Sequence, residues 1–134
     1  MKSFLIALAL SCTQVVFAQD KPASTLTPDQ YKEVVKQEKG VLIDVRTPEE
    51  FAQGHLKKAR NSDYRGGAFA KELETLDKSK TYYLYCASGN RSGKALQLMK
   101  EAGFEHVYNI GGYKDLQAAG LPVKKATASK KANQ

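Results

Sequence analysis

The chain has 134 residues, room for one domain with one hydrophobic core, and its 42% apolar and 26% charged residues are the proportions of an ordinary soluble globular protein. No internal repeat is present. The net charge of +7 comes without aromatic interleaving or a nucleic-acid motif, so nucleic acid is not an expected partner.

Residues 1–18 have the pattern of an export signal. Lys2 supplies the positive start, Phe4 to Leu10 is an unbroken apolar run, and Val16-Phe17-Ala18 ends on a small residue suited to cleavage before Gln19. The run is too short to span a bilayer, and no other segment is apolar enough to do so. A periplasmic or secreted protein is therefore expected. Ala9-Leu10-Ser11-Cys12 forms a poor lipobox, which leaves lipid anchoring at Cys12 as the lesser alternative. Cleavage would remove one of the two cysteines and leave Cys86 without an internal disulfide partner.

After a linker, residues 19–25, the elements of one domain follow over residues 26–123. Thr27, Pro28 and Gln30 form a capping box that opens a helix carrying Tyr31, Val34 and Val35 on one side and ending near Gly40. Val41 to Val45 is a short apolar run of the kind buried in parallel sheets. Thr47-Pro48-Glu49-Glu50 is a second capping box, and its helix stops at Gly54. Gly66 to Leu76 is expected to be helical, with Phe69, Leu73 and Leu76 inward. Thr81 to Tyr85 reads as a buried strand leading to Cys86. Lys94 to Ala102 is an amphipathic helix with Ala95, Leu98, Met99 and Ala102 on one face, capped by Gly103. Val107 to Ile110 is a further strand, and Gly111-Gly112 turns the chain into a last helix ending at Gly120. Residues 124–134, basic and low in complexity, read as a disordered tail. Strands alternating with helices predict an α/β fold, a mostly parallel sheet covered by helices on both faces, with its site at the carboxyl ends of the strands.

The run Cys86-Ala87-Ser88-Gly89-Asn90-Arg91-Ser92 falls at such an end. A cysteine between a strand and a helix N-terminus sits among convergent backbone N–H groups and the positive end of the helix dipole. That setting favours the thiolate, the nucleophilic form. Cys86 is the candidate nucleophile. Ala87, Ser88, Gly89, Asn90, Arg91 and Ser92 are candidate substrate-binding residues. Arg91 has a second reading, pairing with a carboxylate, and Ser92 is expected to cap or support the loop rather than react.

The chain resembles the rhodanese family, in particular its small single-domain exported members. Asp44-Val45-Arg46-Thr47-Pro48-Glu49-Glu50-Phe51, continued by Gly54-His55-Leu56, looks like the first family signature. The run from Cys86 to Ser92 looks like the active loop. Gly111-Gly112-Tyr113, with Ala119-Gly120-Leu121-Pro122-Val123, looks like the C-terminal signature. The chain departs from the family at Leu56-Lys57-Lys58-Ala59 and at Leu116, where an aromatic is common. The resemblance implies sulfur transfer through a cysteine persulfide, without metal or diffusible cofactor. Thiosulfate or a similar small anion is the implied donor, and a thiol or cyanide the acceptor. Four residues separate Cys86 from Arg91, one fewer than in the phosphatase and arsenate-reductase loops that this one resembles. The shorter ring suits a sulfur better than a tetrahedral phosphate. Two alternatives to an enzyme remain: a non-catalytic rhodanese-like binding or persulfide-carrier module, and a redox thiol, which would need an external resolving thiol.

Other residues are read as structural. Asp44 and Arg46 are expected to pin the first signature by ion pairing with Glu49 or Glu50. His55 is expected to anchor its loop by a hydrogen bond. His106 has no evident partner, and Arg65 has a conceivable place at the pocket rim. Two histidines and one cysteine far apart in sequence make no metal site. Tyr82, Tyr83 and Tyr85 are strand formers first. The lack of a long apolar surface stretch favours a monomer.

Overall fold

The computed structural model describes residues 24–126. The expected signal, residues 19–23 of the linker and residues 127–134 of the tail lie outside them. In chain order the elements are α1 (Pro28–Gln37), β1 (Val41–Asp44), α2 (Pro48–Ala52), β2 (Gly54–Leu56), β3 (Arg60–Asn61), α3 (Ala68–Glu72), β4 (Tyr82–Cys86), α4 (Asn90–Glu101), β5 (Val107–Gly112), α5 (Tyr113–Ala118) and β6 (Val123–Lys125). The predicted sheet is present, with strand order β3-β1-β4-β5 and every pairing parallel. A separate antiparallel ribbon pairs β2 with β6.

Strand β4 lies between β1 and β5, and all five of its residues are buried. Because successive side chains point to opposite faces, its residues divide between two cores. Tyr82, Leu84 and Cys86 join Phe69 of α3 and Ala95, Leu96 and Met99 of α4. Tyr83 and Tyr85 join Tyr31 of α1, Leu56, Ile110 and Leu116 of α5. Both predicted capping boxes form. Thr27 accepts from the Gln30 N–H at 3.2 Å, and Thr47 from the Glu50 N–H at 3.3 Å.

Several boundaries differ from expectation. The Gly66–Leu76 segment keeps only one short helix, Ala68–Glu72, and its remainder is turns. Phe69 is buried, while Leu73 and Leu76 pack partly buried on the same core. Helix α4 begins at Asn90, well before Lys94, so part of the candidate loop is helical. Gly111 and Gly112 extend β5 rather than ending it, with a register shift opposite Leu84/Tyr85. Ser24 and Thr25, placed in the linker, dock on β5: the Asn109 N–H donates to Ser24 O at 2.8 Å, and Thr25 bridges Asn109. Lys124 and Lys125, placed in the tail, belong to β6 and pair with His55 and Gly54. Strands of two or three residues carry too little alternation to be read from a sequence, which is why β2, β3 and β6 escape it.

Candidate active site

Cys86 ends β4, is fully buried, and is a free thiol. Its Sγ accepts the Gly89 N–H at 3.0 Å and lies 3.4 Å from the Ser92 hydroxyl. Burial pushes the thiol up. Polar contacts with the Ser92 hydroxyl and with the backbone N–H groups of Ser92, Ser88 and Gly89 outweigh it and hold the thiol below its ordinary range. The N-cap of α4 explains the arrangement. Gly89 holds that position at φ 92°, a left-handed conformation, and has no side chain to cap the helix. Sulfur stands where a capping oxygen would, facing the Ser92 N–H of the first turn and the Ser88 and Gly89 N–H groups just before the helix. This is also why α4 starts earlier than its cap residues suggest.

Asn109, which no sequence motif marks as a site residue, ties the loop to β5. Its Nδ2 donates to Gly89 O at 3.1 Å. Its Oδ1 accepts the Ser92 hydroxyl at 2.8 Å and the Gly111 N–H at 3.0 Å. A polar residue inside the apolar run Val107-Tyr108-Asn109-Ile110 was the available signal, because a buried amide needs partners. Gly111 and Gly112 wall the other side. A Cβ on Gly112 would lie 2.6 Å from Ala87 O, and one on Gly89 would lie 3.3 Å from Gly111 Cα.

Arg91 lies one residue into α4, and its guanidinium forks onto Glu50 of α2 at 2.7 and 3.0 Å. The carboxylate partner weighed for Arg91 is therefore present. The fork holds the Glu50 carboxyl down at about 2. The expected ion pair of Arg46 with Glu49 or Glu50 does not form. Glu50 is taken by Arg91, and Arg46 pairs with the buried Asp44: Nη2 donates to Oδ2 at 2.7 Å, and Nε reaches both oxygens at 3.0 Å. Arg46 Nη2 also donates to Gly54 O at 2.7 Å, and the Tyr113 ring covers the guanidinium at 4.4 Å. The first signature is thereby pinned to β2 and α5.

Of the remaining candidates, Ala87, Ser88 and Asn90 are exposed at the loop surface. His55 anchors its loop as expected, with Nδ1 2.9 Å from Phe51 O and its ring stacked on Phe51. His106 lies 3.5 Å from Glu38, a partner the sequence did not name. Arg65 is exposed in a turn, where its N–H donates to Asp63. It is not among the residues lining the depression of about 290 Å³ beside the loop, which are Arg46, Glu50, Gln53, Gly54, Ala87, Tyr113 and Lys114. Among the described residues no group of three or more His, Cys, Asp and Glu side chains is placed to hold a metal ion.

The Cys86 sulfur thus stands at a strand end, against a helix N-terminus, in a parallel α/β sheet. Comparison gives the family: the model of the rhodanese-like domain matches residues 27–119, and the chain belongs to that family. Thiosulfate sulfurtransferase PspE of Escherichia coli is 38% identical over 74 residues, covering 55% of this chain and 71% of that protein. Thiosulfate sulfurtransferase GlpE of Pseudomonas putida is 32% identical over 101 residues, covering 75% and 90%. The solved rhodanese-like domain of the Anabaena protein Alr3790 aligns with a TM-score of 0.68 at 24% identity, covering 83% of this chain and 86% of that one, a likeness of fold.

Proposed function

We propose that this chain is a sulfurtransferase that carries sulfane sulfur on Cys86, taking it from thiosulfate or a similar small anion and passing it to a thiol or to cyanide. The observation that carries the reading is the Cys86 sulfur accepting the Gly89 N–H at 3.0 Å at the N-terminus of α4, with the Ser92 hydroxyl 3.4 Å away. That environment supplies a thiolate and then stabilises the negative charge of a persulfide. The names of the PspE and GlpE relatives support the donor class.

Two half-reactions follow from this geometry. The Cys86 thiolate attacks the outer sulfur of thiosulfate and forms a new S–S bond. The S–S bond of the donor breaks, and its electron pair leaves on sulfite. The product is Cys86–S–S⁻, whose charge meets the same donors. An acceptor thiolate, or cyanide, then bonds to the outer sulfur, and the electron pair of the Cys86 S–S bond returns to Sγ. Such transfer through a covalent enzyme has ping-pong kinetics. Ala87, Ser88, Gly89, Asn90 and Ser92 shape the cradle. Arg91 holds the loop to Glu50.

Intact mass is the test. Thiosulfate should add one sulfur atom to the protein, and cyanide should remove it as thiocyanate. Cys86→Ser should abolish both steps and keep the fold, because the hydroxyl nearly matches the thiol in shape and does not ionise here. A Ser variant that still gains sulfur overturns the reading. Uptake of sulfur without turnover would instead favour the persulfide-carrier module. We also infer export, from residues 1–18. The same mass measurement on exported protein should give a chain beginning near Gln19, without Cys12 or lipid.

A further inference from the structure

We infer that the depression beside the Cys86 loop receives the acidic group of an acceptor thiol, held by Arg46 and Lys114. The inference rests on the reading of Cys86 as a sulfur carrier, and it names the acceptor class that this reading leaves open: thiols bearing a carboxylate.

The charges around the depression carry the argument. Glu50 and Arg91 neutralise one another through their fork. Arg46 is 95% buried, at 5% relative exposure, and bonds through Nε and Nη2 only. Its Nη1 has no partner among the described residues. No buried side-chain nitrogen or oxygen there lacks a hydrogen bond, so Nη1 must reach the surface, and Arg46 lines the depression. A guanidinium fixed on two sides by Asp44 and Gly54, with Tyr113 over its face, presents its last donor edge at low entropic cost. Lys114, at the start of α5, is exposed and makes no salt bridge among the described residues. It is the one lining cation without a carboxylate partner. One directed donor edge and one free ammonium suit an anion.

Position selects the acceptor over the donor. Gly89 and Ser92, whose groups contact Sγ, do not line the depression, which has α2 and α5 residues around it and Ala87 of the loop at its edge. An incoming thiolate must reach the outer sulfur of the persulfide from outside that cradle. In the step, the acceptor sulfur bonds to the outer sulfur and the Cys86 S–S bond breaks. The electron pair stays on Sγ as thiolate, and the acceptor departs as a persulfide. The acceptor's carboxylate takes no part in bond making and rests on Arg46 and Lys114.

The test separates the half-reactions. The protein is loaded with thiosulfate, and discharge is then followed with mercaptosuccinate or glutathione and, in parallel, with neutral 2-mercaptoethanol. Lys114→Ala should slow discharge by the acidic thiols about fivefold more than discharge by the neutral thiol, the upper end of what an exposed ion pair contributes. Lys114→Glu should widen that ratio, and added salt should shrink it in the unaltered protein. Equal effects on acidic and neutral thiols overturn the proposal. So does a loss confined to loading by thiosulfate, which would assign the depression to the donor. A protein that takes up no sulfur at all fails earlier and overturns the sulfurtransferase reading, and the acceptor role falls with it.

Discussion

The pairing of Glu50 with Arg91 joins two parts of the chain that the sequence presents as separate local features. Glu50 reads as the closing residue of a capping box, and it is one: its carboxylate accepts the Thr47 N–H at 3.3 Å. The same carboxylate also receives both ends of the Arg91 guanidinium. A residue with a sufficient local explanation gives no hint of a second partner 41 positions away, and Arg46 offers Glu49 or Glu50 a nearer match. The pair has a pH signature. The folded carboxyl ionises at about 2, below its ordinary 4.5, so the ionised form stabilises the fold. That contribution is complete above pH 4.5 and is lost as pH falls toward 2. Glu50 remains about one-third exposed, so solvent screening keeps the effect modest. Glu50→Gln should flatten the pH dependence of the urea midpoint across this window and lower the midpoint at neutral pH. An unchanged acid slope would mean that the fork does not persist in solution.

At the scale of elements, what was legible depended on length and on partners. β1, β4 and β5 are short, mostly apolar stretches, interrupted only by Asp44 and Asn109 before the glycines of β5, and their buried character is plain from the residues alone. α1 and α2 announce themselves by capping boxes whose two hydrogen bonds are both local. The start of α4 was hidden because its cap is the Cys86 sulfur, three residues before Gly89, rather than an N-cap side chain. The end of β5 is hidden for a related reason. Gly111 and Gly112 look like a turn, yet both stay paired in the strand, opposite Tyr85 and Cys86 of β4. Their two substitutions should therefore behave differently. At Gly111 a Cβ meets nothing within 4 Å, and the cost of alanine lies in its φ of 99°. At Gly112 the backbone conformation is ordinary, but a Cβ would press on Ala87 O at 2.6 Å and Ser88 Cα at 3.1 Å. Both variants should lose roughly 1–3 kcal/mol of stability, the range for strain or overpacking. Gly112→Ala should in addition displace the cradle and reduce sulfur loading well below that of Gly111→Ala, measured as persulfide formed per protein at a temperature where both are folded. Equal loading would show that the loop yields without losing its geometry.

At the scale of the molecule, the sheet divides the interior into two cores that share β4 but no helix. Met99 of α4 is buried with Leu84 and Phe104 on one side, and Leu116 of α5 with Tyr85 and Ile110 on the other. Leu116 is a departure from the family's common aromatic, yet it is fully buried and the chain closes around it. Truncating either side chain removes apolar contact and leaves a cavity, so Met99→Ala and Leu116→Ala should each cost about 2–5 kcal/mol. The backbone of the sheet stands between the two sites, and neither shares a packing partner with the other. Their effects in the double variant should therefore add to within about 0.5 kcal/mol. Coupling is expected only if β4 shifts as a whole when one face is emptied. β4 is hydrogen-bonded along both edges, to β1 from Tyr82 to Tyr85 and to β5 from Tyr82 to Cys86, which resists such a shift. Urea denaturation of the two single variants and the double variant measures this directly. A coupling term well above that limit would show that the sheet transmits packing changes from the α1/α5 face to the strand end that holds Cys86. Leu116 would then influence the thiol from across the sheet, and its replacement should shift the pH profile of sulfur loading as well as stability.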